Sequence, residues 1–137
     1  MASKGVIGVL LPGVTFFLGG DQYAPAKKMM QKGLPIALAT DFNPGSCPSE
    51  NMQLMISLAC IKMGMTPEAV IQSATINGAH AICLAHEVGS LEVGKKADFI
   101  LLKVPDYRHI PYRFGINHVD TVVKEGQVVV ENGRLRN

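Results

Sequence analysis

Pro35-Ile36-Ala37-Leu38-Ala39-Thr40-Asp41-Phe42-Asn43-Pro44-Gly45-Ser46 is a short apolar run that stops at a carboxylate and opens into a tight loop. A run this short with apolar residues on both faces is the mark of a strand covered by helices on either side, as in parallel sheets. Val6 to Leu11 has the same character and runs into a Leu-Pro-Gly loop, so both runs are expected to be interior strands. Between them, after a Gly-rich loop, Ala24 to Lys32 reads as a short helix, with Pro25 in its first turn, basic residues outward and Gly33 as the stop. Strand, helix, strand with short connections is the βαβ unit of a parallel α/β fold.

Downstream, Met52, Met55, Leu58 and Ala59, widened by Ile56, recur at helical spacing within Pro48 to Met63. Thr66-Pro67-Glu68 supplies an N-cap, a proline at the first helical position and an acid in the first turn, so another helix starts there with Val70, Ile71 and Ala74 inward. Thr75 to Gly78 breaks the run, and Ala79 to Leu84 reads as one more short helix. From Gly89 the pattern changes to an all-β unit: Phe99 to Lys103, then Val119 to Lys124 and Gln127 to Glu131 joined by a Glu125-Gly126 hairpin turn.

The 137 residues, 47% hydrophobic and 18% charged, have the composition of a globular protein with material for one core. A formal net charge of +2, with no basic run longer than a pair such as Lys27-Lys28, leaves no electrostatic footprint for nucleic acid. Cys47, Cys60 and Cys83 are odd in number and include no C-x-x-C pair, which argues against a disulfide framework and a zinc knuckle and for a reducing cytoplasm. Lys4, the apolar stretch after it and Ala24-Pro25-Ala26 imitate a secretory leader, but Pro12 and Gly13 cut that stretch in two. No segment is long and apolar enough to span a membrane as a helix.

Asp41 is where chemistry concentrates. In barrel-type α/β folds the C-terminal ends of strands face the site, and a carboxylate there binds a metal ion or takes a proton from metal-bound water. Asn43 offers a donor and an acceptor, Gly45 lets backbone approach a ligand, and Ser46 adds a hydroxyl. On these residues alone, Asp41 reads equally well as a turn or cap residue after a strand.

Three stretches carry a family resemblance: V-I-G-V-L-L-P-G at Val6 to Gly13, A-T-D-F-N-P-G-S at Ala39 to Ser46, and G-S-L-E-V-G-K-K-A-D at Gly89 to Asp98. Together they resemble the imidazolonepropionases of the amidohydrolase superfamily, over nearly the whole chain. The third motif is shared by many amidohydrolases; the D-x-N-P-G-S loop narrows the match. The resemblance implies an α/β fold, the C-terminal part of a distorted TIM-like (β/α)₈ barrel followed by strands of a small β-sandwich. Residues 1–86 would hold the last barrel units, with two parallel strands and their helices. Residues 87–137 would hold the C-terminal part of the small β-domain. It further implies one zinc or iron ion, with Asp41 as metal ligand and proton acceptor and Asn43, Gly45 and Ser46 as the substrate loop. The family hydrolyses 4-imidazolone-5-propanoate to N-formimidoyl-L-glutamate in histidine degradation. The ion would polarise the ring carbonyl and activate water while Asp41 relays the proton to the departing ring nitrogen. Cys47 departs from the pattern, standing where a hydroxyl residue is expected.

The family's H-x-H pair and its third histidine ligand have no counterpart here. His80, His86, His109 and His118 are scattered and are read as structural or surface residues. One carboxylate does not hold a catalytic zinc, so the isolated chain is expected to be inactive, to expose apolar barrel faces, and to self-associate or dock onto a complementing N-terminal part. Competing readings are another amidohydrolase, a deaminase or cyclic-amide hydrolase, and a non-catalytic fragment. Gly89 to Lys96 imitates a phosphate-binding loop, but Lys96 replaces the required hydroxyl and a strand follows instead of a helix. Cys47 as a nucleophile lacks a neighbouring histidine.

Overall fold

The computed structural model of the chain describes residues 5–136; Lys4, the cation of the leader-like reading, lies outside them. The first part comprises β1 (Gly8–Leu10), α1 (Pro12–Phe17), α2 (Ala26–Gln31), β2 (Ile36–Leu38), α3 (Met52–Met63), α4 (Pro67–Ala74) and α5 (Ile76–Ala81). The second comprises β3 (Phe99–Leu102), α6 (His109–Tyr112), β4 (Val119–Lys124), β5 (Gln127–Glu131) and β6 (Arg134–Leu135).

Strands β1 and β2 pair in parallel, Gly8 opposite Ile36 and Leu10 opposite Leu38. All three residues of β2 are buried, because α2, α4 and α5 pack over it. Asn77 of α5 donates its side-chain amide to the Ile36 carbonyl at 2.8 Å, fixing that helix against the strand. The expectation of an interior β1 fails on one face. Leu10 is buried but Val9 is 47% exposed, since among the described residues β1 has β2 as its one strand neighbour and nothing lies over Val9.

Leu11 to Gly13 is also more than a loop. Pro12 opens α1, where its missing N–H would have had no helical partner in any case. Helix α2 is shorter than expected, with Pro25 as its N-cap residue, and Gly33 ends the segment at φ +73°. Helix α3 begins at Met52, after Asn51, whose side chain accepts the Leu54 N–H at 3.1 Å. It ends at Gly64, held at φ +64° where a β-carbon is disfavoured. Five consecutive residues, Met55 to Ala59, are buried, because α1, α4 and α6 surround the helix on several sides. The core joins Leu10, Ile36 and Leu38 to Ile56, Ala59, Met63, Val70 and Ile110, each large side chain contributing roughly 1.5–3 kcal/mol on burial.

Thr66 caps α4 through the Ala69 N–H, as its sequence indicates. The break at Thr75 is present, with φ −120° and ψ −97°, but α5 starts directly after it and not at Ala79. The second part is an antiparallel sheet in the order β3-β4-β5-β6. Glu125 and Gly126, at φ +50° and +78°, form the expected hairpin turn. Asp98 secures it by accepting the Glu125 N–H at 2.7 Å and pairing with Lys124. A second such turn, Asn132-Gly133, leads into β6, which sequence reading did not anticipate.

This second part is not all-β. Between β3 and β4 the chain makes an excursion carrying α6 and lays it on α3: Ile110 is buried and Ser57 donates its hydroxyl to the Ile110 carbonyl at 3.3 Å. Gln53 accepts the His118 N–H at 3.1 Å and donates to Asn117 at 2.9 Å, and Tyr107 donates to Glu68 at 2.8 Å. Burial of one isoleucine and four cross-connections hold the excursion against the helices. The Gly89–Asp98 stretch is irregular and runs into β3, with the Lys96 N–H on the Glu87 carbonyl and the Lys96 ammonium on the Glu87 carboxylate, both at 2.8 Å.

Candidate active site

Because β1 and β2 are parallel and in register, the chain leaves both at the same edge: Leu11-Pro12-Gly13 after one, Ala39-Thr40-Asp41 after the other. The Ala39 N–H donates to the Leu10 carbonyl at 3.1 Å, so the pairing extends one step past the strand end. Asp41 follows, exposed to solvent and with φ +52°. The left-handed region disfavours a β-carbon, aspartate and asparagine tolerating it better than most, and residues held there concentrate at functional sites.

The loop beyond Asp41 is built around Asn43. Its Oδ1 accepts the backbone N–H groups of Gly45 at 2.9 Å and Ser46 at 2.8 Å. Its Nδ2 donates to the Asp41 carbonyl at 2.7 Å and to Ser46 Oγ at 2.9 Å. Backbone bonds between Asn43 and Cys47, at 3.0 and 3.3 Å, close the loop into a small hairpin. Asn43 is therefore engaged within its own loop. Ser46 Oγ both accepts from Asn43 Nδ2 and donates to Asn43 Oδ1 at 3.2 Å, so its hydroxyl too is engaged within the loop. Phe42, next in sequence to the carboxylate, is 61% exposed.

Cys47 is 1% exposed, with its sulfur directed to the Ser49 carbonyl at 3.8 Å. It anchors the loop in the core and is not presented as a nucleophile. His80 and His86 are exposed and His109 is half-buried. His118 is buried, and its Nε2 lies 3.2 Å from the Arg113 carbonyl, which only accepts, so that nitrogen carries the proton. Among the described residues, no three His, Cys, Asp or Glu side chains come together as a metal site. A catalytic zinc takes about three protein ligands and an open position, so Asp41 fits as one donor of such a centre and these residues do not fit as the whole of it.

A cleft of about 620 Å³ lies between α5 and the antiparallel sheet, lined by Ile82, Leu91, Phe99, Ile100 and Val122; Asp41 is not on its wall. Sequence reading brought Asp41, Asn43, Gly45 and Ser46 into one loop, which the structure also does. It did not find the inward engagement of Asn43, although the D-x-N-P-G pattern carries the signal of an Asx turn, nor the contact of Gly13 with Cys47 described below.

Residues 17–129 match the amidohydrolase family, and the chain belongs to that family. Within it, the chain is 55% identical to the imidazolonepropionase of Alkaliphilus oremlandii and 56% identical to that of Brevibacillus brevis, in each case over 98% of this chain and 32% of the relative. It thus spans about a third of the length of the curated relatives it matches. Among solved structures, an adenosine deaminase from Xanthomonas campestris with bound zinc superposes with a TM-score of 0.87 at 22% identity, over 99% of this chain and 34% of that one. At that identity the likeness speaks to the fold, which is the mixed α/β fold of amidohydrolase enzymes.

Proposed function

We propose that this chain supplies one wall of an imidazolonepropionase active site, acting in the hydrolysis of 4-imidazolone-5-propanoate to N-formimidoyl-L-glutamate. The observation that carries the reading is identity of about 55% with imidazolonepropionases, running through 98% of the chain and so through the Asp41–Ser46 loop. The chain is then the C-terminal part of a barrel, residues 1–86, with strands of a small β-sandwich, residues 87–137. The exposed face of β1 and the parallel pairing with β2 support that placement.

In this reading a zinc or iron ion, completed by donors from the rest of the enzyme, supplies Lewis acidity. Asp41 contributes one carboxylate ligand and a proton acceptor, standing clear of the strand end and open to solvent. Ser46 turns its hydroxyl proton from Asn43 Oδ1 to the substrate. Gly45 exposes backbone to it, and Asn43 holds both in position while lining the pocket. The partner is a small molecule together with the complementing part of the enzyme or further copies of the chain. Three free thiols support a reducing compartment, the cytoplasm, and no helix among the described residues is long and apolar enough to cross a membrane.

The test combines this chain with the part of the Alkaliphilus oremlandii relative that it does not match, and assays the assembly on imidazolone propanoate and on an aminopyrimidine. Ring opening of the first supports the proposal. Ammonia release from the second alone would replace it with a deaminase.

A further inference from the structure

Gly13 sits inside α1 with no room for a side chain. A β-carbon there would lie 2.6 Å from the Sδ and Cε of Met55 and 2.9 Å from Cys47 Sγ. The Met55 tip is flexible and can give way; the Cys47 sulfur sits at the root of the loop, 1% exposed, on a residue whose N–H and C=O are both tied to Asn43. Asn43 in turn holds Asp41, Gly45 and Ser46. One unbroken chain of contacts therefore runs from the turn after β1, through Gly13 and Cys47, to the carboxylate-bearing loop after β2.

We propose that Gly13 and Cys47 are a positioning pair, whose direct contact sets the height of the Asp41–Ser46 loop over the strand ends and makes the two strand-end turns move as one body. Both residues are buried. The glycine is required because the Met55 tip and the sulfur at the loop root together occupy the volume of its absent side chain, and of the two only the Met55 tip can swing aside. The cysteine is required as a side chain small enough to sit against Gly13 of α1 while tolerating complete burial without a strong hydrogen bond. The inference deepens the proposed active site by naming what holds its loop, and its test needs no turnover.

The experiment is a double-mutant cycle on the full chain, read by amide hydrogen exchange at Gly45 and Ser46, with Val122 and Val130 of the antiparallel sheet as reference. Gly13→Ala is expected to speed exchange at the two loop amides about tenfold, with the reference amides unchanged. Cys47→Ala leaves a gap and is expected to give a smaller increase of the same kind. Combining the two removes the overlap with the sulfur, leaving only the one with the flexible Met55 tip, and exchange in the double variant is expected to fall below that of Gly13→Ala. General destabilisation predicts the opposite, additive losses that reach the reference amides as well. Additive losses, or loop exchange unaltered in Gly13→Ala, would overturn the pairing. If Gly13→Ala does not fold, recovery of wild-type exchange at the reference amides in the double variant supports the pair, and a double variant that also fails to fold overturns it. These readouts stand even if the chain proves to serve a different amidohydrolase reaction.

Discussion

Asn43 donates its side-chain amide to the backbone carbonyl of Asp41 over 2.7 Å, and so the residue that organises the loop also fixes the backbone of the carboxylate it follows. A left-handed aspartate needs such a partner, because the conformation disfavours its own β-carbon. The same amide accepts two backbone N–H groups, giving one side chain responsibility for the loop's shape.

Replacing Asn43 by alanine strips these bonds at once. Asn43→Ala is expected to cost about 1–2 kcal/mol, the scale of a part-buried side chain whose loss leaves backbone donors without partners. It should also open the loop to proteases. Limited proteolysis with the cut sites mapped by mass spectrometry should show new cleavage between residues 41 and 47. Asn43→Asp keeps the acceptor and loses the donors, so its cleavage rate should fall between alanine and wild type.

A pH effect is expected on the excursion between β3 and β4. The Arg108 guanidinium, then the Arg108 backbone N–H, hold the Asp106 carboxyl down from 3.8 to about 2. A carboxylate depressed in the folded state stabilises above its unfolded value and loses that contribution as pH falls through the folded one. Asp106 should therefore stay ionised when ordinary carboxylates have protonated, and its contribution should fade between about pH 4 and pH 2. The pair is largely solvent-exposed, so the effect on overall stability is small. An NMR titration of the side-chain carboxyl carbon should give a midpoint near the depressed value, and Arg108→Ala should raise it only part of the way to the ordinary one, because the backbone N–H at position 108 still donates to the carboxylate.

The exposed face of β1 and the neighbouring α1 carry Val9, Phe16, Phe17 and Leu18, all about half exposed or more. Apolar surface of this kind drives association in water. The purified chain is expected to bind a hydrophobic dye and to scatter light as a species larger than one copy. Phe16→Ser with Phe17→Ser should reduce both signals. A monomer that unfolds cooperatively and binds no dye would contradict that expectation.

Much of this was legible in the residues. Thr66-Pro67 and Glu125-Gly126 each encode a local geometry that needs no tertiary help, and both elements formed where their residues indicate. Helix α1 was hidden because Gly13 normally weakens a helix; here the glycine is kept by what presses on it, Cys47 and Met55, which only the folded chain brings near. Helix α6 was hidden for the same kind of reason, its four residues being held through Ile110 on a helix more than forty residues away in sequence. The small strand β6 follows an Asn132-Gly133 turn that is a good hairpin signal, but two residues carry no periodicity. At the site, the residue types of the Asp41–Ser46 loop were readable and their roles less so. Whether an asparagine points at a ligand or into its own turn depends on the backbone path, and here it points inward.

The central claim is that Asp41 provides the carboxylate of a metal-dependent hydrolytic site that this chain completes with the rest of an imidazolonepropionase. The most direct measurement is turnover of imidazolone propanoate, together with metal content, for the assembly containing wild-type chain and for the one containing Asp41→Asn. Loss of the carboxylate should lower turnover at least about a hundredfold, the scale of a lost general acid–base group, and reduce bound metal, with assembly unimpaired. Equal turnover and equal metal content in the two assemblies would contradict the account.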